Sequence, residues 1–308
     1  MSNKTYILCP GQGAQAVGMG RDFYDASPAA KDVFDRANAV IGFDPASICF
    51  GGPEEKLNQT DIAQPAIYVT SVAAFEAAKA AGKVEPETVT AYAGLSLGEY
   101  TALHLGGAFD FETGLKLVAA RGRAMQDAAD ASPGGMVAIM GADEATVTKL
   151  CEENAAGKVL VPANFNAPGQ IVVSGSKSAC ERFSKAGEAA GYKAIALKVA
   201  GAFHSPLMQS GADRMAKELA SASIQSPRTT VYSNVTAAAH GDVASIRKAL
   251  IDQIVKPVRW EQTMQSIVAQ GDARWIELAP GRVLTGMLKK INRRLPVESF
   301  ATAEALNG

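Results

Sequence analysis

The pentapeptide G-x-S-x-G at residues 94–98 constrains the fold of this 308-residue chain more than any other feature. It follows an apolar run at residues 88–93 and precedes a helix-forming segment, the context of a sharp turn from a strand into a helix. Glycines two positions before and after Ser96 let neighbouring chains approach closely, and such a turn holds the serine in strained backbone geometry. The sequence therefore predicts an exposed, nucleophilic hydroxyl on Ser96 at the edge of a sheet.

Leu97 follows the serine and opens the predicted helix. The first N–H groups of a helix have no partner within it, and the helix dipole places positive charge there. We therefore expect the Leu97 N–H to lie where a carbonyl oxygen becomes negative during attack by Ser96. The bare pattern also arises by chance in Gly-rich chains, so it is the strand-turn-helix context that favours the functional interpretation.

The composition excludes several classes of protein. At 47% hydrophobic residues the chain can bury a large core, either as one big domain or as two unequal ones. Thirty basic and thirty-one acidic residues give a net charge of -1, so we expect no nucleic-acid partner. The four cysteines are widely spaced and form no C-x-x-C pair, which indicates a reduced, cytoplasmic protein. We expect no signal peptide, no membrane span, no metal site and a monomeric state.

Strands and helices alternate in the first part of the chain, which predicts an α/β fold with a parallel sheet. We expect a strand at residues 6–9, a helix capped by Ser27 at 27–40, a long helix at 65–81 and another at 111–127. The same α/β pattern resumes late in the chain, with a helix at 205–220 and strands at 230–234 and 275–278.

The order of elements changes after residue 132. Strands predicted at 136–140, 159–165, 171–174 and 193–199, with helices at 143–153 and 177–190, give the order β-α-β-β-α-β. This is the split βαβ, or ferredoxin-like, arrangement. We therefore predict a small ferredoxin-like subdomain at 131–199, inserted into a large subdomain made of 1–130 and 200–308. The functional cleft is expected between them.

A serine nucleophile needs a base, and the chain has three histidines. His104 lies eight residues beyond Ser96 on the same predicted helix, about 12 Å along its axis, which is too far for a hydrogen bond. His240 precedes Gly241 in a polar turn and is expected at the surface. His204 follows the last strand of the small subdomain and borders the cleft, so it is the predicted base. Because no acidic residue stands out as its orienter, a Ser-His dyad is the simplest prediction.

The predicted helix at 111–127 carries Arg121 on its apolar face. Residues three and four positions away share a helix face, and those around Arg121 are apolar, whereas those around Arg123 are more polar. A buried guanidinium without a partner costs several kcal/mol, so Arg121 needs an anion. A structural salt bridge is one explanation. Bidentate capture of a substrate carboxylate is the other.

Several segments together resemble the malonyl-CoA:acyl carrier protein transacylase family, also found as the acyltransferase domains of fatty-acid and polyketide synthases. The resemblance runs nearly end to end and rests on the order and spacing of its motifs. They are GQGAQ at 11–15, QPA at 64–66, GLSLGEY at 94–100, RGR at 121–123, NFNAPGQ at 164–170, GAFHSPLM at 201–208, PVRW at 257–260 and GRVL at 281–284.

The resemblance implies an α/β-hydrolase-like large subdomain and a role for each candidate residue. Ser96 would be the nucleophile, His204 its base and Arg121 the partner of the malonyl carboxylate. Gln12 and Leu97 would donate their N–H groups to the oxyanion, and Gln253 would orient the histidine. The implied activity is transfer of malonyl from malonyl-CoA to the phosphopantetheine thiol of acyl carrier protein, for fatty-acid synthesis, without a cofactor.

Two neighbours of the predicted dyad bear on the choice of acyl group. The family usually has histidine immediately before the nucleophile, and this chain has Leu95, which cannot form a side-chain hydrogen bond. Phe203, immediately before His204, resembles the pattern in which a bulky ring disfavours an α-methyl group on the acyl chain.

Three alternatives stay open at this point. The chain could serve a polyketide pathway as a discrete acyltransferase, or it could release acyl groups to water, because the same serine turn serves esterases and thioesterases. A dinucleotide-binding module is the third, since residues 11–16 fit G-x-G-x-x-A. No second strand ending in an acidic residue follows about twenty residues later, which disfavours it.

Overall fold

The computed structural model describes residues 4–307. The strands are β1 Thr5–Cys9, β2 Ala91–Gly94, β3 Gly134–Met140, β4 Leu160–Ala167, β5 Gln170–Ser176, β6 Lys193–Ala196, β7 Thr230–Tyr232, β8 Arg274–Leu278 and β9 Val297–Phe300. The α-helices are α1 Arg21–Ala26, α2 Pro28–Ile41, α3 Pro45–Gly51, α4 Glu54–Leu57, α5 Thr60–Ala80, α6 Gly98–Leu105, α7 Phe111–Ala131, α8 Glu144–Ala155, α9 Lys177–Ala189, α10 Gln209–Ser221, α11 Val243–Val255, α12 Trp260–Val268 and α13 Val283–Ile291.

A five-stranded parallel sheet in the order β7-β2-β1-β8-β9 forms the larger layer. Strands β1 and β2 lie at its centre and are buried along nearly their whole length, as expected for strands covered on both faces. The helices α5 and α7 pack against each other on one side of this sheet. The predicted parallel α/β fold is confirmed.

A second sheet is antiparallel and has the order β4-β5-β3-β6. Helices α8 and α9 pack together over it, and they share a separate apolar cluster that includes Ile139, Val147 and Phe183. The order β-α-β-β-α-β along the chain is the one predicted from the sequence.

Several predicted boundaries are wrong. The long helix expected at 65–81 begins at Thr60, with Pro65 inside it. A proline costs a helix the N–H bond to the residue four positions earlier, but α5 is buried along almost its entire length, and its packing outweighs that loss. Helix α7 continues to Ala131, and the strand expected at 193–199 ends at Ala196.

Other differences concern short elements. A 3₁₀ turn at Pro206–Met208 precedes α10, where one continuous helix was expected. Helices α1, α3, α4 and α12 and strand β9 were not predicted, because short segments show too few apolar repeats to reveal their period. The longer helix α11 was not predicted either. None of the helices in the described part of the chain is both long enough and apolar enough to cross a membrane.

Candidate active site

Ser96 lies at the tip of the turn between β2 and α6. Its backbone has a φ of 52°, in the left-handed region that non-glycine residues seldom adopt. The Ser96 N–H donates to the side-chain oxygen of Asn234 over 2.6 Å, which helps to hold this conformation. A Cβ atom on Gly94 would overlap the backbone of Gly98, and one on Gly98 would overlap the carbonyl oxygen of Cys9. The two glycines therefore permit the close approach that the sequence predicted.

His204 accepts a hydrogen bond from the Ser96 hydroxyl, with 2.9 Å between Oγ and Nε2. On its other side, Nδ1 lies 2.6 Å from the backbone carbonyl oxygen of Gln253. A carbonyl oxygen can only accept, so Nδ1 carries the proton and Nε2 offers its lone pair to the serine. The imidazole is thus oriented by a backbone carbonyl, in keeping with the expected Ser-His dyad.

The imidazole of His204 is neutral at physiological pH. Burial, followed by the nearby charge of Arg121, lowers the pKa of His204 from 6.5 to about 4. The residue also has a φ of 56°, so the loop after β6 holds it in strained geometry. A neutral imidazole with its free nitrogen on the serine can remove the hydroxyl proton.

Arg121 is buried, as its position on α7 predicted, whereas Arg123 is exposed. Its Nη1 donates to the Gln64 side-chain oxygen over 2.7 Å, and its Nη2 donates to the Gln253 side-chain oxygen over 2.9 Å and to Ser96 Oγ over 3.0 Å. These acceptors are uncharged, and the Arg121 Nε–H has no acceptor among residues 4–307. Burial lowers the pKa of Arg121 below its usual range. Within residues 4–307 the guanidinium therefore has hydrogen-bonding partners but no carboxylate bound to it.

Two backbone N–H groups complete the surroundings of the serine. Leu97 is the N-cap residue of α6, and Gln12 follows β1 in the neighbouring turn. Neither N–H has a hydrogen-bond acceptor among residues 4–307. The Gln12 side chain reaches Thr60 Oγ1 over 3.4 Å. Free N–H groups beside a nucleophile are suited to binding an oxyanion.

These groups open into a cavity of about 540 Å³. The carboxyl end of the parallel sheet contributes Gln12, Leu95 and Ser96 to its walls, and the antiparallel sheet contributes residues such as Asn166. The Asn166 side-chain oxygen is buried and accepts no hydrogen bond from the part of the chain that the structure describes. A substrate N–H or hydroxyl that enters the cavity can pair with it.

Comparison with known proteins agrees with this geometry. Residues 5–306 match the family described as the acyl transferase domain. The chain belongs to the acyl transferase domain family. It is 42% identical to the malonyl CoA-acyl carrier protein transacylase of Salmonella typhimurium, in an alignment that covers 98% of this chain and 95% of that protein.

Solved acyl transferase structures have the same fold. That of a malonyl CoA-acyl carrier protein transacylase from Coxiella burnetii superposes with a TM-score of 0.94 at 37% identity, covering 99% of this chain and 96% of that one. A second, described as a type II polyketide-synthase acyl carrier protein in complex with its malonyl-transacylase, gives a TM-score of 0.93 at 37% identity, covering 99% and 98%.

Leu95 takes an apolar position in this acyl transferase. Its side chain lines the cavity and belongs to a cluster with Leu8, Ala93 and Met287. The residue before Ser96 therefore gives the cavity an apolar wall and no hydrogen-bonding side chain.

The other two histidines lie outside the dyad. His104 donates from Nδ1 to the Phe109 carbonyl oxygen over 3.1 Å and makes no hydrogen bond to Ser96, as its distance along α6 predicted. His240 was expected at the surface, and that prediction is wrong. Its side chain is 2% exposed and pairs with the fully buried carboxylate of Glu99 over 2.7 Å, because the chain folds back against β7 beneath the serine turn.

Sequence reasoning also missed Asn234, Glu99 and Gln64. Asn234 follows β7, the strand adjacent to β2, so its position at the carboxyl edge of the sheet was a signal that could have found it. Gln64 and Glu99 lie within motifs quoted above, but the groups that donate to them, Arg121 and Gln253, come from distant segments of the chain. No cluster of three or more His, Cys, Asp or Glu residues suited to a metal ion occurs within residues 4–307.

Proposed function

We propose that this chain transfers a malonyl group from malonyl-CoA to the phosphopantetheine thiol of acyl carrier protein through a malonyl ester on Ser96. The observation that carries the proposal is the buried guanidinium of Arg121, which bonds no carboxylate of the described residues and whose Nη2 lies 3.0 Å from Ser96 Oγ. A dicarboxylic acyl thioester supplies the carboxylate that this guanidinium lacks. The names of the relatives and the described complex with an acyl carrier protein support the same donor and acceptor.

In the first half-reaction the Ser96 oxygen attacks the thioester carbon while His204 Nε2 takes the hydroxyl proton. The carbonyl oxygen becomes negative and receives the N–H groups of Gln12 and Leu97. When the intermediate collapses, the carbon–sulfur bond breaks and the leaving thiolate of CoA takes the proton from His204. The malonyl group remains on Ser96 as an ester.

In the second half-reaction the pantetheine thiol of the carrier protein enters the cavity. His204 takes the thiol proton as the sulfur attacks the ester carbon, and the same two N–H groups bind the oxyanion. The bond between the ester carbon and the Ser96 oxygen then breaks, and His204 returns the proton to that oxygen. Each step uses groups of the chain itself, so the proposed reaction needs no cofactor.

The four cysteines are unpaired and buried. Unpaired thiols are typical of a reducing compartment, which supports a cytoplasmic location. The family resemblance implies an acidic carrier protein, and basic residues lie at the end of α13, the helix that lines the cavity through Val283 and Met287. Lys289 and Lys290 lie in the last turn of α13, and Arg293 and Arg294 follow it.

Supply of extender units for polyketide synthesis is a second candidate. It is favoured by the similarity to the malonyl-transacylase described in complex with a type II polyketide-synthase carrier protein. Both pathways would use the same chemistry at Ser96 and differ only in the carrier protein. A comparison of transfer rates to the two kinds of carrier protein decides between them.

Intact-mass analysis after brief exposure to malonyl-CoA tests the proposal. The chain should gain the mass of one malonyl group, and Ser96→Ala should gain none. Arg121→Ala should malonylate slowly and accept acetyl-CoA comparatively better, because truncating one partner of a buried ion pair costs about 3–5 kcal/mol. An unchanged preference for malonyl-CoA in Arg121→Ala would refute the assignment of that residue. An ester that hydrolyses at once without an acceptor thiol would instead favour a thioesterase.

A further inference from the structure

Beneath the serine turn lies a buried pair of titratable groups for which the proposed mechanism has no use. Glu99 is fully buried in the first turn of α6, and the His240 side chain is 2% exposed. His240 Nε2 lies 2.7 Å from Glu99 Oε1. A buried carboxylate is costly unless donors surround it, so the pair needs an explanation.

The second oxygen of Glu99 points toward the active site. Glu99 Oε2 accepts from the side-chain amide nitrogen of Gln253 over 2.6 Å and from the backbone N–H of Asn234 over 3.1 Å. Asn234 in turn accepts the Ser96 N–H, and Gln253 supplies the carbonyl oxygen that orients His204. The carboxylate therefore bonds directly to Asn234 and Gln253, the two residues that hold the serine and the histidine.

The contact with Glu99 helps to fix the orientation of the Gln253 amide, because it is the shortest hydrogen bond of the amide nitrogen. Its nitrogen faces three acceptors, which are Glu99 Oε2 at 2.6 Å, the Ser96 carbonyl oxygen at 3.0 Å and Asn234 Oδ1 at 3.4 Å. Its oxygen therefore faces Arg121 at 2.9 Å. If the amide turned over, its NH₂ group would meet the guanidinium, and two donors would oppose each other. His240 contacts the Glu99 oxygen that faces away from Gln253. A Glu99 carboxylate held in this way favours the observed orientation of the Gln253 amide.

We propose that His240 is a positioning residue, which holds the Glu99 carboxylate so that the Gln253 amide oxygen stays on Arg121. This inference rests on the proposed function, because Arg121 is the group that would bind the acyl carboxylate. Its consequence is specific. Loss of the His240 contact should weaken selection of a carboxylate-bearing acyl group more than it weakens acyl transfer in general.

Two amide substitutions that differ by one methylene test the proposal. In His240→Gln the amide nitrogen can reach the position of the imidazole Nε2 and donate to Glu99, whereas in His240→Asn it is too short. The measurement is kcat/KM for malonyl-CoA and for acetyl-CoA, taken as a ratio. His240→Asn should lower the ratio about tenfold, the effect of losing a hydrogen bond to a charged group. His240→Gln should restore most of it.

His104→Leu provides the control, since it removes another histidine, half-buried near the end of α6. It should lower the thermal midpoint without changing the ratio, which separates positioning from loss of stability. If His240→Asn does not fold, Glu99→Gln tests the other partner. Its uncharged oxygen should hold Gln253 more weakly and lower the ratio by a smaller factor.

The outcomes are distinct. A ratio in His240→Asn equal to that of the unsubstituted chain overturns the inference, and so does a His240→Gln variant that is folded but no better than His240→Asn. Failure of the unsubstituted chain to form a malonyl ester on Ser96 would instead overturn the proposed function.

Discussion

The buried imidazole of His204 makes the stability of this protein depend on pH in a way that one substitution isolates. The pKa of His204 is lowered from 6.5 to about 4 by burial and, secondarily, by Arg121. The unfolded chain therefore gains a proton on this residue as the pH falls below 6.5, whereas the folded chain gains it only below about 4. Folding stability is unaffected above the upper value, falls between the two, and has lost the full amount below the lower one.

The magnitude follows from the two pKa values. A tenfold difference in proton affinity is worth about 1.4 kcal/mol, so the full loss is about 3 kcal/mol. At about pH 4.5, where the folded chain is only partly protonated on His204, the loss is about 2–3 kcal/mol. This is a large fraction of the free energy of unfolding of a typical domain.

Urea unfolding of the chain and of His204→Asn, at about pH 7.5 and about pH 4.5, measures this effect. The substitution removes the titrating group, and the other ionisable groups contribute equally to both proteins. The unsubstituted chain should therefore lose about 2–3 kcal/mol more than His204→Asn between the two pH values. The same loss in both proteins would show that His204 is not held neutral by its surroundings, and the argument for a ready general base would fail with it.

Three further substitutions test the packing of the site and its cavity. Gly98→Ala should lower the free energy of unfolding by about 2 kcal/mol or more, because the new methyl group overlaps a backbone oxygen of β1; unchanged urea stability would contradict this. Gly286→Ala on α13 is the matched control, since no atom lies within 4 Å of the added carbon, and it should raise stability by about 0.5–1 kcal/mol. Phe203→Ala should increase use of methylmalonyl-CoA relative to malonyl-CoA, at a cost of about 3 kcal/mol in unfolding free energy, because this ring lines the cavity. An unchanged ratio of the two kcat/KM values would show that the ring does not limit the acyl group.

Much of the fold follows from local patterns in the sequence. Alternation of buried strands with helices predicted the parallel sheet, and the order of short elements after residue 132 predicted the antiparallel one. The long helix α5 shows the limit of such reasoning. The helix was expected to start at Pro65, and it begins at Thr60. Burial of α5 against α7 and α2 outweighs the low helix propensity of one proline.

The residues of the site also fall into two groups, those that local sequence predicted and those that it did not. Ser96 and Arg121 could be selected from their own neighbours along the chain, since a turn and a helix face are local properties. Gln12 and Gln253 came from the family resemblance, and the backbone carbonyl by which Gln253 meets His204 became visible only in the structure.

The sequence by itself determined the serine turn, the buried arginine and the alternation that builds the sheets, because those depend on residues a few positions apart. Tertiary structure alone decided what lies beneath the serine. Glu99 and His240 are 141 positions apart, and Ser96 and Asn234 are 138 apart. A polar turn looks solvated in the sequence, and only the packing of β7 beside β2 brings His240 onto a buried carboxylate. Because these groups are buried away from water, losing any one of these contacts would cost free energy, since a buried polar group is stable only when it is paired.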